Sequence, residues 1–248
     1  MVSNRFTVRQ VTAIQMLDVA EARQKAWQQC AESAVALAAV DLPAPDPRAE
    51  ARDLVRALPA RIRTVWKRLH WENSRKEVWW RLIQNGVVGA GGHGWAPKKG
   101  AGCVCGWLPA QAAPSRVRAL QLREHVFWGC AGAREVRRVL QRQLPQGVEL
   151  LPKHVWLLEP PATELHPLVW AAVCLAALTV MLSVSKQLRR CSDLSHAPGV
   201  VDRVPALMLE ALKDFAACQG PQSSVGEIGS GHPFLRARPG GGLECVLL

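Results

Sequence analysis

Three cysteines and a histidine lie close together in the middle of the chain, where they could hold a metal ion. Cys103 and Cys105 form a C-x-C pair, and His125 and Cys130 follow after 19 residues, with four residues between them. Thiolates and imidazoles are the donors that tetrahedral zinc sites use, commonly in two arms joined by a finger. Four protein ligands leave no open position, so the pattern predicts a structural zinc knuckle and not a catalytic site.

The spacing leaves a second interpretation open. The C-x-C arm is tighter than the usual spacer of two to four residues, so the thiols could be buried in a core beside a surface histidine. Gly106 favours the metal, because glycine readily takes the positive φ that a tight knuckle often requires. Three thiolates and one imidazole around Zn²⁺ carry a net negative charge, which nearby cations would offset; the candidates are Lys98, Lys99 and Arg123.

The remaining cysteines are scattered along the chain. The first residues, MVSNRFTVRQVTAIQML, contain no apolar run of signal-peptide type, so we expect an intracellular protein of the nucleus or cytoplasm. Disulfides are rare in such compartments, and isolated cysteines there are usually buried. We therefore interpret five of them as core thiols: Cys30, Cys174, Cys191, Cys218 and Cys245.

The spacing of apolar residues predicts a mainly α-helical protein. Helices are expected at 8–40, 48–57, 60–71, 72–83, 131–144 and 203–217. The first has an approximate apolar face that includes Trp27, Ala34 and Ala38, and Trp66 and Trp79 are expected in the core. From Gly220 onward glycine, proline and serine dominate, which predicts a disordered tail.

Basic residues are concentrated around the candidate metal ligands. Of 31 lysines and arginines, 19 lie between Arg48 and Arg142, against six of the 20 acidic residues. Such a field attracts polyanions, although a merely solvated basic face is the alternative. Tryptophans beside arginines suit single-stranded RNA or DNA, because bases stack on aromatic rings. The candidates for phosphate contact are Arg61, Arg63, Lys67, Arg68, Arg75, Lys76, Lys98 and Lys99, and those for stacking are Trp71, Trp80 and Trp107.

A glycine-rich stretch, GVVGAGGHGWAPKKGAG, precedes the cysteine pair. A phosphate-binding loop needs its last glycine followed directly by Lys and Ser or Thr at the start of a helix. Here Lys98 and Lys99 follow a proline instead. The stretch therefore does not predict a nucleotide site, and we expect no small-molecule substrate.

Residues 168–185 contain no charged side chain and are followed by Lys186, Arg189 and Arg190. This run is at the lower length limit for a transmembrane helix with a basic flank, and a helix buried on all sides explains it equally well. The last four residues, CVLL, match a prenylation box with Cys245 as its cysteine. The alternative function is therefore a small membrane-attached protein, although we expect no membrane partner.

Several motifs occur in the order seen in one known protein family. HWENSRKEVWWRLIQNGV, CVCG, REHVFWGC, HVWLLEPP and LVWAAVCLAALTVM together resemble the zinc-binding region downstream of the reverse transcriptase in non-LTR retrotransposon polyproteins. The resemblance covers 65–185, and Phe127 and Trp128 match the family's aromatic pair. The family often has proline after the last cysteine, where this chain has Ala131.

The resemblance implies a division of the chain and a function. Residues 1–60 would correspond to a helical thumb or connection segment, 61–190 to the zinc-binding domain, and 191–248 to a weakly structured tail. A polymerase needs paired aspartates for two Mg²⁺ ions, but the chain has no Asp-Asp pair and no tyrosine. We therefore expect a non-catalytic fragment that binds zinc and nucleic acid, with a decayed remnant as a further alternative.

Overall fold

The computed structural model describes residues 19–40, 46–84, 103–107, 115–190, 197–219, 232–237 and 243–246. These residues are mostly helical, which confirms the predicted mainly α fold. The α-helices are α1 (Val19–Ala38), α2 (Pro47–Arg56), α3 (Leu58–Arg68), α4 (Asn73–Ile83), α5 (Ser115–Glu124), α6 (Ala131–Gln143), α7 (Pro152–Trp156), α8 (Pro167–Arg190), α9 (Ala197–Val201) and α10 (Val204–Ala217). A π-helix (His125–Gly129) joins α5 to α6, and strands β1 (Leu235–Ala237) and β2 (Leu243–Cys245) form a hairpin.

Helix α8 lies at the centre of the core because it is apolar on nearly every side. Helices α3, α4, α6, α7 and α10 and the π-helix all pack against it. It is long and apolar enough to cross a membrane, yet 83% of its most apolar window is buried inside the protein. Burial on all sides is the arrangement expected of a core helix.

Three buried tryptophans connect the elements around α8 through their indole N–H groups. Trp79 of α4 donates to the carbonyl of Trp156 at 2.9 Å, and Trp156 of α7 donates to the carbonyl of Phe127 at 3.3 Å. Trp170 of α8 donates to the carbonyl of His154 at 2.9 Å. Each bond satisfies an indole donor that burial would otherwise leave unpaired. The prediction that Trp79 is a core residue is confirmed.

The tail is more ordered than the sequence predicts. Residues 232–237 and 243–246 contain the hairpin, in which Leu235 pairs with Cys245. Phe234 and Leu235 are fully buried, and the Phe234 ring lies 5.9 Å from that of Trp170. These apolar side chains pack the segment against the core. The predicted disorder is therefore wrong for these residues.

The N-terminal helix also differs in detail from its predicted apolar face. Ala34, Leu37 and Ala38 are fully buried, whereas Trp27 is 37% exposed. The buried cluster contains residues from all three predicted segments. The boundaries between those segments stay a prediction, as does the helical structure of 8–18, which lies outside the described residues.

The scattered cysteines divide into buried and exposed thiols. Cys30 and Cys174 are buried, which confirms their assignment to the core. Cys218 is exposed, so its assignment is wrong, because it lies directly after the last turn of α10. Cys245 is half-buried in β2, and Cys191 lies outside the described residues.

His154 is a buried imidazole held in its neutral form. Its Nδ1 atom accepts a hydrogen bond from the backbone N–H of Leu151 at 3.0 Å. Burial, and secondarily the charge of Lys153, lower the pKa of His154 from 6.5 to about 4. An unfolded chain therefore binds a proton at this residue at a higher pH than the folded chain does.

This difference predicts acid sensitivity. As pH falls from about 6.5 to about 4, His154 should reduce the free energy of unfolding by about 3 kcal/mol. His154→Asn keeps an acceptor near the Nδ1 position and should flatten the pH dependence of urea unfolding by that amount. His70→Asn removes an exposed imidazole as the control. Parallel pH profiles for wild type and His154→Asn would contradict the assignment.

Candidate metal centre

The four predicted ligands lie together in the folded chain. Cys103 Sγ is 3.9 Å from Cys130 Sγ, and Cys105 Sγ is 3.7 Å from His125 Nε2. All four donor atoms lie within 4.8 Å of one another. A zinc tetrahedron with ordinary bond lengths would place two sulfurs about 3.8 Å apart and sulfur and nitrogen about 3.6 Å apart. The cluster could therefore hold a metal ion with small adjustments of these side chains.

The first arm is a tight turn over residues 103–107. The N–H of Cys103 donates to the carbonyl of Trp107 at 3.0 Å, and the N–H of Gly106 donates to the carbonyl of Cys103 at 2.9 Å. Gly106 has φ +87°. This left-handed conformation confirms the prediction for Gly106 and brings both thiols of the C-x-C arm to one side.

The second arm depends on the π-helix. In an α-helix, residues five apart point roughly 140° away from each other. The wider i→i+5 turn reduces this angle, so His125 and Cys130 can face one centre. The N–H of Cys130 closes the turn on the carbonyl of His125 at 2.7 Å. Cys130 is also the N-cap residue of α6, which confirms the helix predicted after the last ligand.

Trp107 positions a candidate ligand. Its ring is stacked on that of His125, with centroids 4.3 Å apart and planes 9° from parallel. This contact fixes the plane of the imidazole whose Nε2 faces Cys105. Trp107 was predicted to stack on nucleic-acid bases, but one of its two ring faces is already occupied by His125.

The hydrogen bond between Cys103 and Cys130 shifts the pKa values of the two thiols in opposite directions. Their mutual hydrogen bond, together with burial, raises the pKa of Cys103 to about 11. The same bond, helped by the backbone N–H of Gly132, lowers the pKa of Cys130. Burial raises the pKa of Cys105. A metal ion must displace these protons, so its affinity should fall as pH falls.

A cation from the end of α8 interacts electrostatically with two of the thiols. Burial lowers the pKa of Arg189, and the charges of Cys103 and Cys130 oppose that shift. Its Nε donates to the carbonyl of Ser185 at 3.2 Å. Arg189 can therefore offset the negative charge of metal-bound thiolates, a role that the sequence assigned to other cations.

One of those other cations, Arg123, takes part in packing contacts instead. Arg123 is buried and donates from Nη1 to Ser33 Oγ at 2.9 Å and to the carbonyl of Leu82 at 3.0 Å. Burial lowers its pKa to about 10. These bonds connect α5 to α1 and α4, so Arg123 stabilises the packing of these three helices. Lys98 and Lys99 lie outside the described residues.

Helix α6 approaches α8 very closely at Gly132. A Cβ atom at this position would lie 2.2 Å from Cγ1 of Val184, which is fully buried. Only glycine permits this contact, two residues after the candidate ligand Cys130. The sequence alone does not single out Gly132, because its neighbour Val184 is distant along the chain.

Helix α3 presents three exposed basic residues from the predicted set: Arg63, Lys67 and Arg68. Trp66 lies among them and is 39% exposed. Its predicted place in the core is therefore wrong, since the apolar stripe of α3 is buried at Leu58 and Val65 instead.

Two of the predicted phosphate contacts form ion pairs within the protein. Arg61 donates to the carbonyl of Leu157 at 2.9 Å and to Glu159 at 3.3 Å. Arg75 lies 3.5 Å from Asp214. These partners join α3 and α4 to distant parts of the fold, so both arginines have structural roles that phosphate binding would have to disrupt.

Burial also changes the interpretation of three other residues that were predicted to contact nucleic acid. Trp71 is only 6% exposed, and its indole donates to Asp214 at 3.0 Å, so it presents no ring face for stacking. Lys76 is only 4% exposed, and its Nζ lies 5.6 Å from the ring centroid of Trp66. Its burial removes it from the predicted phosphate surface. Trp80 is half-buried against the core.

Comparison with known proteins gives no relative from which a role could be transferred: no protein-family model, no curated protein and no solved structure matches this chain.

Proposed function

We propose that the Cys₃His cluster binds one zinc ion and that this ion stabilises the fold. Three thiolates and an imidazole are soft and borderline donors, which favour zinc over hard cations such as Mg²⁺ or Ca²⁺. All four positions of the tetrahedron come from protein side chains, and three of these are buried. A closed, buried site holds two chain segments together and leaves no coordination position for a substrate.

We further propose that the zinc-supported helical protein binds single-stranded RNA or DNA without catalysing a reaction. The observation that carries this proposal is the exposed face of α3. Arg63, Trp66 and Lys67 occupy positions i, i+3 and i+4, so they are neighbours on the helix surface. A basic surface with an exposed aromatic ring can contact the phosphates and stack on a base. The motifs resembling a retrotransposon zinc-binding region support the same function.

The proposed α3 contact can be tested with a labelled single-stranded oligonucleotide and fluorescence anisotropy over a series of salt concentrations. Arg63→Gln/Lys67→Gln should reduce the slope of log K against log[salt] by about 1.4, because two phosphate contacts are lost. Trp66→Ala should weaken binding by about 1–3 kcal/mol and leave the slope unchanged.

Trp27→Ala provides the matched control, since Trp27 on α1 is exposed to a similar degree, 37% against 39%. It should bind like the wild type. If Trp66→Ala and Trp27→Ala bind equally, α3 does not supply a stacking ring. If the folded wild type shows no salt-sensitive binding to RNA or DNA, the proposed nucleic-acid function is wrong.

A further inference from the structure

Helix α6 carries a row of arginines outside the predicted set of phosphate contacts. Arg134, Arg138 and Arg142 are four residues apart, and all three are exposed. Positions four apart lie on one side of an α-helix, about 6 Å from each other along its axis. We call these three residues the α6 arginine row.

The other side of α6 faces the core, and the helix as a whole carries a positive formal charge. Val136 and Leu140 on the opposite side are fully buried. Arg137 lies over the Trp128 ring, 4.4 Å from its centroid. Glu135 is the single acidic residue of the helix and pairs with Arg138. With four arginines and one glutamate, α6 has a formal charge of +3.

The Cys₃His cluster includes the residue that begins this helix. Cys130 is the N-cap residue, and its carbonyl accepts the N–H of Arg134 at 2.8 Å. Arg134 also lines an open cavity of about 610 Å³ together with Cys105, Trp107 and His125. The α6 arginine row therefore starts directly beside the cluster, and its direction depends on the position of Cys130.

We propose that the α6 arginine row contacts the phosphate backbone of the bound nucleic acid, an inference that rests on the nucleic-acid function proposed above. Arg134 and Arg142 can each pair with a phosphate, and the exposed guanidinium of Arg138, which also contacts Glu135, can add a third contact. A membrane surface fits less well, because an interfacial helix needs an exposed apolar face and that face of α6 is buried. Metal loss should weaken these contacts, since it frees the N-cap of α6.

Helix α2 offers a matched comparison. Arg48, Arg52 and Arg56 have the same spacing and are also exposed. Acidic residues within or next to α2 cancel their charge: Asp46, Glu50 and Asp53. Helix α2 with its N-cap residue is therefore neutral, although it carries an arginine row of the same geometry.

The test replaces each row by glutamine and measures binding to a labelled single-stranded oligonucleotide at several salt concentrations. Arg134→Gln/Arg138→Gln/Arg142→Gln should reduce the slope of log K against log[salt] by about 2. Arg48→Gln/Arg52→Gln/Arg56→Gln removes the same formal charge and should leave the slope near that of the wild type. Replacement of the α6 arginine row by lysine should preserve the slope. The single variant Arg142→Gln, far from the cluster, should lower it by about 0.7.

Each result separates this inference from the function on which it rests. If the wild type binds no nucleic acid, both are overturned. If it binds and the two glutamine variants have equal slopes, only the role of the α6 arginine row is overturned. Vesicles containing phosphatidylserine serve as a second probe. Loss of vesicle binding in the α6 variant, with nucleic-acid binding unchanged, would assign the row to a membrane and overturn the inference.

Discussion

Replacing Cys103 and Cys130 together by serine should remove the metal and destabilise the fold. Purified wild-type protein is expected to contain about one zinc ion per chain, and the Cys103→Ser/Cys130→Ser variant close to none. An ion that binds only the folded chain stabilises it by about 4 kcal/mol when free zinc is a thousand times the Kd. The variant should lose stabilisation of this size, measured by urea unfolding in the presence of zinc.

Cys218→Ser is the control, because Cys218 is an exposed thiol outside the cluster. It should keep both the zinc content and the free energy of unfolding of the wild type. Cobalt substitution adds a direct readout, since thiolate ligands give a charge-transfer absorption that the double variant would lack. A folded wild type without zinc, or equal zinc content in all three proteins, would contradict the proposed metal site.

Adding a single methyl group at Gly132 should also destabilise the fold. In Gly132→Ala the new Cβ would lie 2.2 Å from Cγ1 of Val184, so α6 must move away from α8. Overpacking of this kind costs about 1–3 kcal/mol and sometimes more. The movement would also displace the N-cap Cys130, so zinc affinity should fall together with the melting temperature.

A double-mutant cycle identifies the contact responsible. Val184→Ala removes the clashing Cγ1 atom, so Gly132→Ala/Val184→Ala should be less destabilised than the sum of the two single variants. Gly199→Ala is the control, because no heavy atom lies within 4 Å of its added Cβ. Additive effects of Gly132→Ala and Val184→Ala would show that this contact does not determine how closely α6 approaches α8.

The local parts of the structure could be predicted from the sequence. Helix α6 begins directly after the last candidate ligand, as predicted, and the positive φ of Gly106 follows from the tightness of its turn. Both arms of the cluster are short, so the spacing of their residues restricts where the donor atoms can lie. The apolar run of α8 likewise predicted a helix that is either buried or membrane-spanning, because no side of the run carries charge.

Exposure of individual side chains could not be predicted in the same way. Trp66 and Trp71 both lie on apolar stretches with basic neighbours, yet Trp66 is 39% exposed and Trp71 is 6% exposed. The difference arises because Trp71 packs against Phe215 of α10 with ring centroids 5.1 Å apart. The spacing of residues in one segment does not reveal which distant helix will bury a given side chain.

The sequence by itself determined the identity of the four candidate ligands, the helical class and an apolar helix over residues 168–185. Only the tertiary structure decided what acts on the ligands: Trp107 stacked on His125, and the positive charge of Arg189 interacting with two of the thiols. It also decided that Arg123 belongs to packing and that the α6 arginine row lies on the surface. The physical reason is the separation of the interacting residues along the chain. Ligand spacing and helix periodicity are properties of neighbouring residues. Burial and charge pairing depend on segments that folding brings together from far along the chain.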